Sequence, residues 1–444
     1  MDVNVLLRGQ SNAIWLAEAQ GWSGAGKLIG EVERLLGFDG VNDRVNLVYE
    51  RADQDAATAR AGTALIGDWL EPEGNSWRLD EGERGLLNAV AQLPTAQRDD
   101  PTAVVWLHSE DDSRDWSLTA ARWESAVRFE AAALREALGQ GAETTPYLFV
   151  SAHPYWGNGQ AHQEIRTAME TLAADPAFNA RIGARALDVN LDRDDLDGNA
   201  ATRDFGGPHL ADSDALLLAG RMARAVAEEF AAYAKPGSPL ALAGGQIDDQ
   251  GPQVVAAEQV AADQLLLTVR FDAASTLVAP DAVAAAGTGW SVRSASGAAE
   301  GEAASLAGPE QVLVTFDKPL PADGEVFYGW GYGRLAGPDG SGQGHALYDD
   351  QGMPIWVQAD GLAIGTAPPA LPAAPAMVPS PIATPPVPPP EAAVPPPEQV
   401  PLAPMPVVPA AEPASFVSPA PQAAPAGASL SELMAWAAGS DPWG

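Results

Sequence analysis

Five short apolar runs punctuate the first 236 residues, at positions 3–7, 45–49, 103–107, 147–151 and 186–189. Each has the length and character of a buried strand. Between them, apolar residues recur at three- and four-residue spacing over 27–36, 81–91, 118–138, 160–174 and 211–233, which predicts helices. Strands alternating with helices of this size imply a parallel sheet covered on both faces, a three-layer α/β domain. In such folds the functional edge lies at the carboxyl ends of the strands.

The pattern changes after Lys235-Pro236-Gly237-Ser238-Pro239, a loop signal that marks a domain boundary. Apolar runs at 264–271, 290–294, 311–316 and 326–332 are separated by turns rich in Gly, Ala and Asp, with no long helix between them. Residues 237–365 are therefore expected to form a small antiparallel β-domain of sandwich-like type. From 366 to 427 the chain is Pro and Ala, and 22 of the 39 prolines fall there. That density supports neither helix nor sheet, so a disordered, extended tail of at most about 190 Å is expected. In the last segment, 428–444, Leu430, Leu433, Met434 and Trp436 share one face of a short helix behind Ser429 or Ser431. A helix this short is marginal alone. A frayed terminus and a docking peptide for a protein partner both fit.

The length, 444 residues, calls for two folded domains plus extra chain. The formal net charge of −34 argues against nucleic acid and anionic membrane surfaces as partners. No cysteine is present, which excludes disulfides, thiolate metal sites and cysteine nucleophiles. The N-terminus lacks the basic and apolar regions of a signal peptide, and no run approaches the roughly 18 apolar residues of a membrane span. The expected location is cytoplasmic, non-classically exported or particle-associated.

The chemistry begins at Gly9-Gln10-Ser11-Asn12, directly after the first strand. A strand running into a glycine turn, with a serine opening a helix, presents a nucleophile at a sheet edge beside free amide N–H groups. A serine that merely caps the helix gives the same pattern. Gly-Gln-Ser-Asn in this position resembles the nucleophile block of the SGNH hydrolases, in the sialate O-acetylesterase and carbohydrate acetylesterase branch. The resemblance implies a flavodoxin-like parallel sheet and a Ser-His(-Asp) esterase that needs no cofactor or metal.

Further blocks extend the resemblance. His209, in Arg203-Asp204-Phe205-Gly206-Gly207-Pro208-His209, lies in a Gly- and Pro-rich loop before the last helix. It resembles the family's base. The family's acid stands three residues before that histidine, where this chain has Gly206. Asp204 is the nearest upstream acid. Asp212 is a weaker choice, since an acid opening a helix is commonly a cap. A Ser-His dyad is the remaining option. Trp106-Leu107-His108-Ser109-Glu110-Asp111-Asp112 resembles the His-Gln-Gly-Glu-Ser-Asp block, with Glu110 expected to brace the loops around Ser11. Asp111 stands where many members use an asparagine, and an ionised carboxylate cannot donate to an oxyanion. That shifts weight to backbone amides, Gln10 and Asn12. Ala61-Gly62-Thr63 resembles the oxyanion glycine block. The expected hole is therefore Ser11 N–H plus Gly62 N–H, with Gly67 as the fallback.

Trp15, Trp69, Tyr155 and Trp156 are candidates for lining a sugar site, the last two being favoured by their loop after the fourth strand. Asp192, Asp194, Asp195 and Asp197 fail the EF-hand spacing and read as a solvated acidic loop. Residues 328–333 and 346–355 resemble the C-terminal end of sialate O-acetylesterases. The function this implies is hydrolysis of O-acetyl esters on carbohydrates. The alternative is a decayed esterase that binds glycan or acts as a structural, scaffold or phage-particle protein.

Overall fold

A computed structural model describes residues 1–51, 56–151, 159–189, 209–331, 335 and 346–365. These described residues all belong to one compact unit. Its first part runs β1 (Asp2–Gly9), α1 (Ser11–Leu36), β2 (Arg44–Val48), β3 (Leu70–Glu73), β4 (Ser76–Leu79), α2 (Glu81–Gln92), α3 (Thr95–Arg98), β5 (Thr102–Leu107), α4 (Ala120–Leu138), β6 (Tyr147–Ser151), α5 (Gly159–Ala173), β7 (Ala180–Arg185), α6 (Asp212–Glu229) and α7 (Pro239–Leu242).

Five parallel strands stand in the order β2-β1-β5-β6-β7. Period-two alternation splits each strand between two cores. Val3, Val5, Leu7, Val105 and Leu148 face α1 and α6, whereas Leu6, Val104, Trp106, Tyr147 and Phe149 face α2, α4 and α5. Both faces being covered explains why these strands read as unbroken apolar runs.

Two expectations for this part need correction. The fifth strand is Ala180–Arg185, and 186–189 is the turn that follows it. The run 186–189 is apolar because Ala186 and Val189 fill the α1/α6 core while Leu187 fills the core of the second part. The true strand was hidden by Arg181, Gly183 and Arg185; a Cβ on Gly183 would lie 2.7 Å from the end of Met222, so a small residue is needed there. The helix that Ser11 opens, as expected, runs on to Leu36 and takes in the separate helix expected over 27–36. It is interrupted at Ala19–Trp22, where Gln20, Gly21 and Trp22 take left-handed φ values of 48°, 69° and 77°.

The second part comprises β8 (Gln253–Ala261), β9 (Gln264–Arg270), α8 (Ala282–Ala285), β10 (Trp290–Ser294), β11 (Gly297–Gly308), β12 (Gln311–Phe316), β13 (Glu325–Tyr328) and β14 (Leu362–Ala363). They form one seven-stranded sheet in the order β14-β13-β10-β11-β12-β9-β8, antiparallel throughout. It is a single sheet, not two facing ones. It curls until its ends meet: Gly365 N–H, just after β14, donates to the Ala257 carbonyl of β8 at 2.7 Å. The strands begin at Gln253, and Leu240 and Ile247 pack in the α1/α6 core, so the segment after 237 stays with the α/β layer. Among the described residues no helix is long and apolar enough to cross a membrane. The Pro/Ala segment and the terminal peptide lie outside the described residues.

The two parts are joined by buried polar contacts. Arg166 of α5 donates to the carbonyls of Gly329 and Gly331. Arg221 of α6 grips Asp188 bidentately at 2.8 Å and donates to the Gly352 carbonyl, and Tyr348 donates to the same aspartate. Arg185 lies 3.4 Å over the Trp356 ring.

Candidate active site

At the carboxyl edge of the sheet, β1 passes through Gly9 into α1. A Cβ on Gly9 would lie 1.9 Å from the Leu107 carbonyl oxygen, so only glycine lets β1 and β5 stay paired to their ends. Gln10 occupies the N-cap position, its own N–H donating to Leu107 O. Ser11 is the first helical residue and 8% exposed. Its N–H is one of the first-turn amides with no acceptor within the helix.

Asn12 ties three segments together. Fully buried, it donates from Nδ2 to Glu110 Oε1 at 2.9 Å and accepts at Oδ1 from Leu210 N–H at 2.9 Å. The residue after Ser11 thus holds the residue after His209. His209 is half-buried, its ring edge-on to Trp15 at 5.6 Å, one helical turn from Ser11. No hydrogen bond joins Ser11 to His209 among the described residues.

The three consecutive acids after β5 do not form a solvated run. Glu110 is fully buried and also accepts from Ser109 N–H at 2.8 Å. Burial pushes its carboxyl up to about 7 against the pull of these hydrogen bonds. Asp112 accepts from the amides of Leu65 and Ile66 at 2.9 and 3.0 Å, and burial pushes it up to about 7 as well. Asp111 pairs with Arg114, and its N–H donates to Gln10 Oε1 at 3.3 Å.

The Gly62 segment is brought against this turn. Ala59 bridges Gly9, and Arg60 N–H donates to the Gly9 carbonyl at 3.0 Å. Thr63 is held twice beyond it: its hydroxyl accepts from Trp69 Nε1 at 2.8 Å, and its carbonyl meets His108 Nε2 at 2.7 Å. Gly62 itself is exposed at the tip, with a left-handed φ of 66°. Gly67, the fallback, is exposed further along, with φ 114°.

His108 is a structural residue. Its Nε2 faces a carbonyl and must donate; its Nδ1 then accepts from Arg8 at 2.8 Å, which fixes one neutral tautomer. Burial, then Arg8, hold its pKa well below the usual histidine range. Arg8 itself is buried between the Trp69 and Trp106 rings, 4.2 and 3.7 Å from their centroids, with Glu130 at 3.4 Å. Trp69 is therefore core and lines no sugar site. Asp212 opens α6. Asp204, Tyr155, Trp156 and the acids 192–197 lie outside the described residues.

Sequence reasoning placed His108 and Asp112 in a block at the sheet edge but gave neither a role, and it gave Arg8 none. Acids in a row look solvated when read alone, and only the fold shows that backbone amides of a distant loop meet them. The one local signal was Arg8, a charge directly after the apolar Val5-Leu6-Leu7 of the same strand.

No family model matches the chain, and no curated protein matches it significantly. Among solved structures, a crystal structure of the S-layer protein rSbsC is similar with a TM-score of 0.17 and 10% identity. The alignment covers 59% of this chain and 31% of that one, and a likeness this slight carries no argument about fold or function.

Proposed function

We propose that the chain is a serine esterase that removes O-acetyl groups from carbohydrates. The observation that carries the reading is Asn12, which joins the Ser11 helix, the Glu110 loop and the His209 loop within two hydrogen bonds. These are the segments a Ser-His esterase needs at one sheet edge. In this reading Ser11 Oγ attacks the acetyl carbonyl and His209 takes its proton. The oxyanion forms between the N–H groups of Ser11 and Gly62. His209 returns the proton to the departing sugar hydroxyl, leaving an acetyl-enzyme, and then activates the water that releases acetate. Asp204 is the proposed acid behind His209. The direct Ser–His hydrogen bond is often long before substrate binds, so its lack does not count against the pair. The carbohydrate rests on resemblance alone.

Acetate release from 4-nitrophenyl acetate and from acetylated xylan tests this. Ser11→Ala is expected to lose at least about a thousandfold in rate, and a serine-directed phosphonate to label Ser11 in the wild type. Absence of both turnover and labelling would replace the esterase with the second reading, a glycan-binding or scaffold protein. That reading is favoured by Asp111, a carboxylate paired with Arg114 where the esterase branch places an oxyanion donor.

A further inference from the structure

Among the described residues only two aromatic side chains are exposed over more than half their surface, Trp22 at 54% and Trp116 at 83%. Both stand beside the carboxyl edge of the parallel sheet, one on each side of Ser11. The strand order β2-β1-β5 sets this. Trp22 meets Tyr49, the residue after β2; Ser11 follows β1; Trp116 lies in the loop after β5. That loop leans toward β6, because its turn at 112–114 packs against α5.

Single exposed apolar residues are ordinary, but these two are held in place. The chain reaches Trp22 through the break in α1. The helix resumes with Gly24 laid against its own earlier turn, where a Cβ would lie 1.8 Å from the Leu16 carbonyl oxygen. Gln20, Gly21 and Trp22 are thereby looped outward. Trp22 keeps φ 77°, a left-handed value that is strained for a bulky side chain. Ser23 ties the loop by donating to the Gln20 carbonyl at 3.0 Å. The Tyr49 and Trp22 rings meet at 5.7 Å, edge to face. Tyr49 is itself fixed, since its hydroxyl donates to Glu18, which also takes Arg51.

Trp116 occupies the second position of a turn closed by the Leu118 N–H on the Asp115 carbonyl at 3.1 Å. Asp115 braces that turn. Its Oδ1 accepts from the Ser117 amide and hydroxyl at 2.8 and 2.7 Å, and its Oδ2 from Arg122 at 3.2 Å. Leu118 anchors the turn in the core. The indole is carried outward on a rigid support.

A flat, exposed indole takes rings that can lie on it, either nucleobases or sugars. Charge separates these. Glu18, Asp111 and Asp115 stand near the two rings, and the chain carries a net charge of −34, which repels a phosphate backbone. A neutral sugar meets no such repulsion, and its C–H groups suit the electron-rich face of an indole.

We propose that Trp22 and Trp116 are stacking platforms for an uncharged oligosaccharide that lies across the Ser11 edge, with one sugar ring on each indole. Given Ser11 as the nucleophile of the esterase reading, on which this second step rests, the acetyl group belongs to a sugar in the interior of the chain rather than at its end.

Affinity electrophoresis of the full chain through gels holding xylan, galactomannan or mixed-linkage glucan tests the platforms without any turnover. Retardation by at least one polymer is expected, with Kd raised about tenfold or more in both Trp22→Ala and Trp116→Ala. Leu242→Ala, at an apolar residue of α7 that is 79% exposed, should keep the wild-type Kd. No retardation would overturn the proposal, as would retardation that both tryptophan variants retain. Loss in one variant alone would overturn the path across Ser11. Binding of single-stranded DNA that both variants lose would assign the platforms to nucleic acid instead. Acetate release then tests the interior acetyl group: the ratio of kcat/KM on acetylated xylan to that on 4-nitrophenyl acetate should fall about tenfold in either variant, through KM, and an unchanged ratio would overturn that step. Glycan binding without turnover of either ester would support the platforms while removing the esterase reading.

Discussion

Two groups of buried carboxylates sit in one compact unit and are treated in opposite ways. At the Ser11 edge, Glu110 accepts from Asn12 of another segment and from its neighbour Ser109, and Asp112 accepts two amides of the 65–66 loop. At the junction of the α/β layer with the curled sheet, Asp248 has no donor at either oxygen and faces the carboxyl groups of Asp349 and Asp272. The first arrangement spends its hydrogen bonds on holding loops in place. The second sets carboxyl against carboxyl, and burial with these neighbours pushes Asp248 up to about 8, so that it keeps its proton. Sequence makes the two look alike, since both are short acidic runs in loops.

Substitutions should separate them. The largest effect is expected from Asp112→Ala, which strips two buried amides of their acceptor at a cost of about 3 kcal/mol. Thermal unfolding should register this as a drop of several degrees, and an unchanged midpoint would mean that the Leu65 and Ile66 amides find water. Asn12→Ala should cost about 2 kcal/mol by the same bookkeeping. It should also depress acetate release more than stability, because it frees the His209 loop from the Ser11 helix; equal loss at every temperature below unfolding would support that, and full activity would refute it.

Titration sharpens the contrast further. Glu110, Asp112 and Asp248 all have folded pKa values above those of the unfolded chain. Each therefore adds stability that is fully present below about pH 4 and lost as pH rises through the folded value. That value is about 7 for the first two and about 8 for Asp248. The midpoint should fall from pH 5 to 8, with Asp112→Asn flattening the part below pH 7 and Asp248→Asn the part that continues to 8. If both variants keep the wild-type slope, the dependence arises elsewhere. The smallest effect belongs to Glu83, a fully buried carboxyl without a hydrogen-bond partner, which desolvation and Glu130 raise well above the usual range. Already neutral, it should accept Glu83→Gln within about 1 kcal/mol, and a larger loss in chemical denaturation would mean that it is ionised.

How much of this was legible depended on where the apolar signal was strong. Strands β1, β5 and β6 were, because both faces are buried, and so was the edge strand β2, because Val45, Leu47 and Val48 still stand out as apolar. Strand β7 was not, because its arginines serve the junction and its glycine lies under Met222. Strand β11 escaped notice because Gly297–Gly308 is built from Gly, Ala and Glu and declares no face, although Ala299 and Ala304 are buried. Gly9, Ser11 and the turn between them were visible locally, since the chemistry there is set by adjacent residues. Asn12 joining Glu110 to Leu210 was not, because its partners are 98 and 198 residues away.

The curled sheet has one further consequence. An open antiparallel sheet offers two rows of unpaired backbone groups to any chain of matching register. Here the strand at one end is covered by the chain on either side of the other: Trp356, before β14, exchanges hydrogen bonds with Pro252 and Val254 at the start of β8, and Gly365, after it, donates to Ala257 further along. The domain thus guards its own border with residues 356–365. Cutting the chain before Gly365 would remove that guard and offer β8 to a neighbour, so the fold itself sets the shortest length at which the chain can be crowded without self-association.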